Sequence, residues 1–237
     1  MSFNTWTPRA VESEARRAQR QLWRAVEAQH IASTLRLVAG VEEQAVLESI
    51  LEANKPPLPA AARGLHYLLA TPFRYASPFG SRFRSPADAG IWYGAEAART
   101  ACAELGYWRW RFLQDSDGLE TLGPSPQTVF RVGFQGRLVD LTEAPFKRAQ
   151  AGWTHPHDYG ATQAFARVAR ESRVEAIRYQ SVRDPLHAAA LAVLNPKAFK
   201  PKRPLEQQTW FLTVRAEGVV WQREGATFEF PAQSWRS

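Results

Sequence analysis

Residues 73–109 read FRYASPFGSRFRSPADAGIWYGAEAARTACAELGYWR. The stretch divides into a loop broken by Pro78, Gly80, Pro86 and Gly90, a short apolar strand Ile91-Trp92-Tyr93, and a helix expected over 95–108. Arg82, Tyr93 and Glu104 are spaced eleven residues apart along this loop–strand–helix unit. A guanidinium, an aromatic platform and a carboxylate are thereby brought into one unit. The trio suits a ligand with phosphates, a flat ring and a ribose, and a nicotinamide dinucleotide has all three.

On the N-terminal side, Leu22, Val26, Ile31, Leu35 and Val38 recur at steps of three to five, which predicts one long helix over 8–38 ended by Gly40. A second helix is expected over 41–53, with Val46, Ile50 and Leu51 turned inward. The run Asn54-Lys55-Pro56-Pro57-Leu58-Pro59 cannot continue a helix. The chain is therefore divided into a helical N-terminal region, 1–59, and a main body, 60–237. The N-terminal helices are expected to pack on the body, with a part in dimerisation or partner contact left open.

In the body, a short helix is expected over 60–69 and a strand at Phe73-Arg74-Tyr75. Residues 128–134 and 137–141, separated by Gln135-Gly136, read as a hairpin. A helix is expected over 161–172, then buried strands at 174–179 and 191–194, then short antiparallel strands at 209–215, 219–223 and 227–230. The order gives an α+β fold: mixed, twisted sheets with surrounding helices and a helical N-terminal region. There are no internal repeats.

The bulk numbers fit that body. The chain has 237 residues, 45% hydrophobic and 22% charged, enough for one substantial core. No run of about 18 apolar residues predicts a transmembrane helix, and the first residues lack the apolar core of a secretory signal. The single cysteine, Cys102, excludes an intrachain disulfide, and a reducing cytoplasm is expected. It falls on the apolar side of the 95–108 helix and reads as core filler. The net charge of +7 suits nucleic acid, an acidic protein partner or a pyrophosphate, and does not choose among them.

Within the opening stretch, Arg82 is a candidate clamp for pyrophosphate or ribose, because a guanidinium pairs bidentately with phosphate. Arg84 stands two residues on as a substitute for it. Tyr93 offers a ring face and a polar tip. Glu104 falls at the edge of the stripe made by Ala97, Ala98, Ala101, Cys102 and Leu105, so a carboxylate half-buried beside a cleft is expected. The His155-Pro-His157-Asp158 run carries too few ligands to predict a metal. No Gly-x-Gly-x-x-Gly or Walker run is present, so a dinucleotide would not sit on a Rossmann helix terminus. Trp108-Arg109-Trp110-Arg111 interleaves aromatics and cations. It reads either as a helix end that packs or as a platform for single-stranded nucleic acid.

The same stretch resembles the RES-domain family. Gly80-Ser81-Arg82-Phe83 is similar to its Gly-Gly-Arg-Trp element, Ile91-Trp92-Tyr93 to its strand ending in Tyr, and Ala101–Glu104 to its helix carrying a functional Glu. Arg84 stands where the family has Asn. The resemblance covers roughly residues 65–200. It implies an ADP-ribosyltransferase-like fold and the toxin of a toxin–antitoxin pair acting on NAD+ as substrate, by phosphorolysis or hydrolysis at the nicotinamide–ribose bond or by ADP-ribosylating a protein. It also implies a cognate Xre-type antitoxin that blocks the cleft, with nucleic acid met only through that antitoxin. Residue by residue it adds Arg74, like the family's early-strand Arg, as a second pyrophosphate ligand. Ser181 is added as a hydroxyl lining the pocket, and Asn195-Pro196 as a closing turn. The catalytic set is then Glu104, Arg82 and Tyr93, and the NAD+-binding set Arg74, Arg82, Tyr93 and Ser181, with homo-oligomerisation open. The alternative to a toxin or transferase is a basic nucleic-acid-binding module.

Overall fold

The computed structural model describes residues 6–28, 40–75 and 77–236. In chain order, helix α1 (Pro8–Glu14) is followed by strand β1 (Arg16–Glu27), helix α2 (Val41–Ala53), a 3-10 turn at 60–62 and helix α3 (Tyr67–Arg74). Next come β2 (Trp92–Ala95), α4 (Ala98–Gln114), β3 (Thr121–Asp140), α5 (Gln150–Trp153) and α6 (Gly160–Glu171). The strands β4 (Ala176–Gln180), β5 (Ala189–Val193), β6 (Glu206–Arg215), β7 (Gly218–Arg223) and β8 (Ala226–Pro231) complete the chain. The eight strands run in the order β1-β2-β5-β4-β3-β6-β7-β8. A further pairing of β1 with β3 joins the first five strands into a ring from which β6, β7 and β8 extend. Only β3–β4 is parallel, so the sheet is mixed and the fold α+β.

The long helix expected over 8–38 is not formed. Seven residues are helical, and 16–27 are a strand in register with β3 from Arg16↔Leu138 to Glu27↔Gln127. The reason lies in the spacing: Leu22 and Val26 are four apart, which is one helical turn but also two full β pleats. With Ala18 they pack one sheet face in the cluster of Leu69, Trp92 and Phe130, and twelve residues of ladder override a weak helical pattern. Ile31, Leu35 and Val38 lie outside the described residues. The region is thus not wholly helical, since its first half supplies a strand of the main sheet.

The expected hairpin is also corrected. β3 runs unbroken through Gln135-Gly136 for 20 residues. Its glycines are there for close approach rather than for a turn. A Cβ at Gly133 would meet Lys200 O at 2.0 Å, and one at Gly136 would meet Glu175 Cβ at 3.0 Å. The predicted strand Phe73-Arg74-Tyr75 is instead the end of α3. α2 forms over the expected residues, but Val46, Ile50 and Leu51 are exposed rather than inward.

α4 positions the chemistry. Ala101, Cys102, Tyr107, Trp110 and Leu113 make its buried stripe, packed with Leu212, Val219, Trp221 and Trp235. Gly106 lets the helix lie close on β7, since a Cβ there would meet Val219 Cγ2 at 2.9 Å. Cys102 is fully buried in this interface, and burial raises its thiol pKa, so it stays protonated core filler. No helix among the described residues is long and apolar enough to cross a membrane.

Candidate active site

The loop after α3 is built around two buried side chains. Arg84 is 4% exposed and donates to the carbonyls of Ser77, Phe79, Pro86 and Asp88. Its donors are therefore spent on holding the loop, and it does not substitute for Arg82. The Tyr93 hydroxyl, at the other side, accepts the Phe83 N–H at 2.9 Å and shares a 2.8 Å bond with Ser81 Oγ. α6 adds a third anchor: Gln163 Nε2 donates to the carbonyls of Ser81 and Arg84, and Thr162 Oγ1 donates to that of Arg82. Arg82 is thus presented from a fixed backbone. Its Nη1 donates to Trp153 O and His155 O, both at 3.0 Å, and its guanidinium lies over the Tyr159 ring at 4.8 Å.

Arg82 opens onto a cavity of about 330 Å³. Tyr93 from β2, Glu104 from α4, Arg24 from β1 and Arg183 from the loop after β4 share its walls with Tyr159 and Trp108. The structure therefore brings together Arg82, Tyr93 and Glu104, as expected from their spacing. Arg74 does not join them. It sits in the last turn of α3, its Nε donates to Pro56 O at 2.6 Å, and it is not among the cavity walls. Ser181 is fully buried behind the cavity instead of lining it. Its Oγ donates to Glu104 Oε1 at 2.6 Å and accepts the N–H groups of Arg183 and Asp184. Its place is behind the carboxylate, fixing the orientation of Glu104.

Two cations were not singled out from the sequence. Arg183 is 5% exposed, donates to Pro156 O at 2.6 Å, and lies 3.7 Å over the Tyr107 ring. Arg24 donates to Tyr93 O at 2.8 Å, while its buried Nε finds no acceptor. An arginine in the apolar run Leu22-Trp23-Arg24-Ala25-Val26 was a readable signal only once that run is a strand, because charges inside strands of a core need a reason.

The electrostatics follow from burial. Burial pushes the Arg24 pKa down to about 10 and the Tyr93 hydroxyl up to about 12. The Glu104 carboxyl is raised by burial, with Asp184 adding to the rise. The Ser181 hydrogen bond and the charges of Arg82 and Arg183 oppose it. A buried carboxyl faces a set of incompletely neutralised guanidinium groups across one cavity, and perturbed groups of this kind gather at functional sites. Among the described residues there is no cluster of His, Cys, Asp or Glu that could hold a metal.

One prediction arises directly. Ser181→Ala removes a bond that holds the Glu104 pKa down, so that pKa rises further. If the carboxylate is the working form, the acid limb of the pH–rate profile moves to higher pH, while the rate at alkaline pH recovers toward wild type. The fold loses about 1–3 kcal/mol from the N–H groups left without their acceptor. An unmoved acid limb means that Ser181 does not tune Glu104.

A mixed sheet carrying one buried carboxyl among convergent arginines defines a candidate anion-binding catalytic domain. The chain belongs to the RES domain family, whose model matches residues 57–214. β1, with Arg24, precedes the matched segment, so one wall of the cavity comes from outside it. The chain is also similar in fold to a chain of the M. tuberculosis MbcT–MbcA toxin–antitoxin complex. That likeness has a TM-score of 0.53 at 12% identity, covering 85% of this chain and 90% of the other. A search of curated proteins found no match.

Proposed function

We propose that this protein is the toxin of a toxin–antitoxin pair and that its cavity cleaves NAD+ at the nicotinamide–ribose bond. The observation that carries the reading is the Glu104 carboxyl facing Tyr93, Arg24, Arg82 and Arg183 within one cavity, on a chain of the RES family. Arg24, Arg82 and Arg183 hold the pyrophosphate, a dianion that satisfies cations otherwise repelling one another. Arg24 thus takes the part expected of Arg74. Tyr93 flanks the nicotinamide nucleoside.

When the C1′–N bond breaks, its electron pair leaves with the ring, which departs as neutral nicotinamide. Positive charge then develops on C1′ and the ribose ring oxygen, as in glycoside cleavage. The Glu104 carboxylate, fixed by Ser181, stabilises that charge without having to reorganise. Water or phosphate then adds at C1′ and loses its proton, giving ADP-ribose or its 1-phosphate. A protein side chain as acceptor would give the transferase alternative with the same residues. Trp108-Arg109-Trp110-Arg111 offers less to the nucleic-acid reading. Trp110 is buried against Trp235 and donates to Ala216 O, and Arg109 pairs with Glu27, so no continuous platform forms.

The expected partner is an antitoxin, of Xre type by the sequence resemblance. The M. tuberculosis relative in fold was crystallised in complex with its antitoxin.

NAD+ loss by the purified protein, with and without phosphate, tests the reading. Phosphate-dependent loss identifies a phosphorylase, and phosphate-independent release of ADP-ribose a hydrolase. A mass increase on a protein identifies a transferase. A folded, antitoxin-free sample that leaves NAD+ intact under all these conditions overturns it.

A further inference from the structure

The cavity does not end at Trp108. A second hollow of about 380 Å³ adjoins it and shares three of its walls, Trp108, Tyr159 and Arg183. The two are lobes of one cleft. The outer lobe is completed by Arg111, Phe112 and His157. Helical periodicity splits the aromatic run of α4. Tyr107 and Trp110 turn into the core, while Trp108 and Phe112, one turn apart, are 54% and 52% exposed. Two large aromatic side chains standing half in water beside a cleft are costly surface without an occupant. The lobe is also electropositive: Arg183 and Arg111 flank it, the latter paired only with Asp115 on the exposed helix surface. The His157 pKa is lowered by burial and then by the charges of Arg183, Arg111, His155 and Arg82.

We infer that the outer lobe is the subsite for the adenosine half of the substrate, with the adenine ring against Trp108 and Phe112 and the adenosine phosphate between Arg183 and Arg111. This rests on the reading of the inner lobe as the site of nicotinamide–ribose cleavage. If Glu104 meets the nicotinamide ribose, the rest of a dinucleotide leaves the inner lobe past the shared wall. There it meets a flat apolar shelf and cations, the two things a nucleoside monophosphate needs.

Two measurements test it. The first compares NAD+ with nicotinamide mononucleotide, which carries the scissile bond but no adenosine. Phe112→Ala is expected to raise KM for NAD+ about tenfold, the order lost with one stacked base, with kcat retained and no comparable change for the mononucleotide. An unchanged KM for NAD+ in both Phe112→Ala and Arg111→Ala, or an equal loss on both substrates, overturns the subsite. The second is calorimetric titration with AMP, which needs no catalysis. Saturable binding weakened at least fivefold by Phe112→Ala is expected, and absence of AMP binding overturns the subsite. AMP binding without cleavage of either substrate would leave the subsite standing and sink the inner-lobe reading. Cleavage of the mononucleotide without AMP binding would do the reverse.

Discussion

Glu104→Gln is expected to lower the rate of NAD+ cleavage by about 10²–10³-fold, the scale for loss of one fixed transition-state charge contact, while leaving the protein at least as stable as wild type near pH 7. The two halves of the result have one cause. The Glu104 carboxyl has a folded-state pKa above its ordinary value, from burial first. For a raised acid, the stability it contributes is fully present below the unfolded pKa and is lost as pH rises through the folded pKa. At neutral pH the ionised group is therefore a liability to the fold, and glutamine, which keeps an oxygen to accept the Ser181 hydroxyl, removes it. The Tm advantage of the variant should vanish as pH falls below the model carboxyl value of 4.5. Cleavage by wild type should show an acid limb above that value, since only the ionised form stabilises the ribosyl cation. A variant that is folded and retains wild-type cleavage would remove Glu104 from the chemistry. One that is inactive and much less stable would make it a structural residue.

The parts legible in the sequence were those in which local pattern and tertiary demand agree. α6 was predicted because Phe165, Ala166 and Ala169 follow helical spacing and do point into the core. The strands β4 to β8 announced themselves as apolar runs bounded by turns. The spacing of Arg82, Tyr93 and Glu104 was readable because loop, strand and helix are consecutive, so sequence distance maps onto one unit. β1 was misread because a step of four residues fits a helix and a strand equally, and only the ladder with β3 decides between them. β3 was cut in two because a glycine required by Lys200 or Glu175, neighbours distant in sequence, looks locally like a glycine required by a turn. Arg74 was preferred to Arg24 on similar grounds. Phe-Arg-Tyr and Trp-Arg-Ala are equally plausible strand fragments, and the first turned out to end a helix. Arg183 and Tyr159 reach the cavity from separate loops, and no spacing along the chain records that convergence.

Arg24→Met is expected to weaken NAD+ binding by about 100-fold without weakening the fold. The guanidinium is partly buried on β1, with Nη1 on the Tyr93 carbonyl and Nε without an acceptor. Its pKa is held down to about 10 by burial, which says that the surroundings disfavour the charge it nevertheless carries near pH 7. A base with a depressed folded-state pKa costs stability throughout the range in which it is protonated, and an apolar side chain of similar length escapes that cost. Methionine forfeits the bond to Tyr93 O, about 1 kcal/mol, but also relieves the buried charge and its unmet donor, so Tm should stay level or rise. Binding should suffer, because a pyrophosphate oxygen is the acceptor that the open Nε lacks, and charge-assisted bonds to phosphate are among the stronger ones. The control is Arg74→Ala, which removes a cation bonded to Pro56 O outside the cavity. It should leave the Kd for NAD+ within twofold of wild type. Calorimetric Kd values on the Glu104→Gln background, where substrate survives the titration, separate the cases. If Arg74→Ala weakens binding and Arg24→Met does not, the pyrophosphate lies elsewhere. If Arg24→Met weakens binding only in step with a falling Tm, Arg24 is part of the scaffold. A fold that is more stable without one of its buried cations, yet no longer holds its ligand, is what selection for binding rather than for stability leaves in a cavity wall.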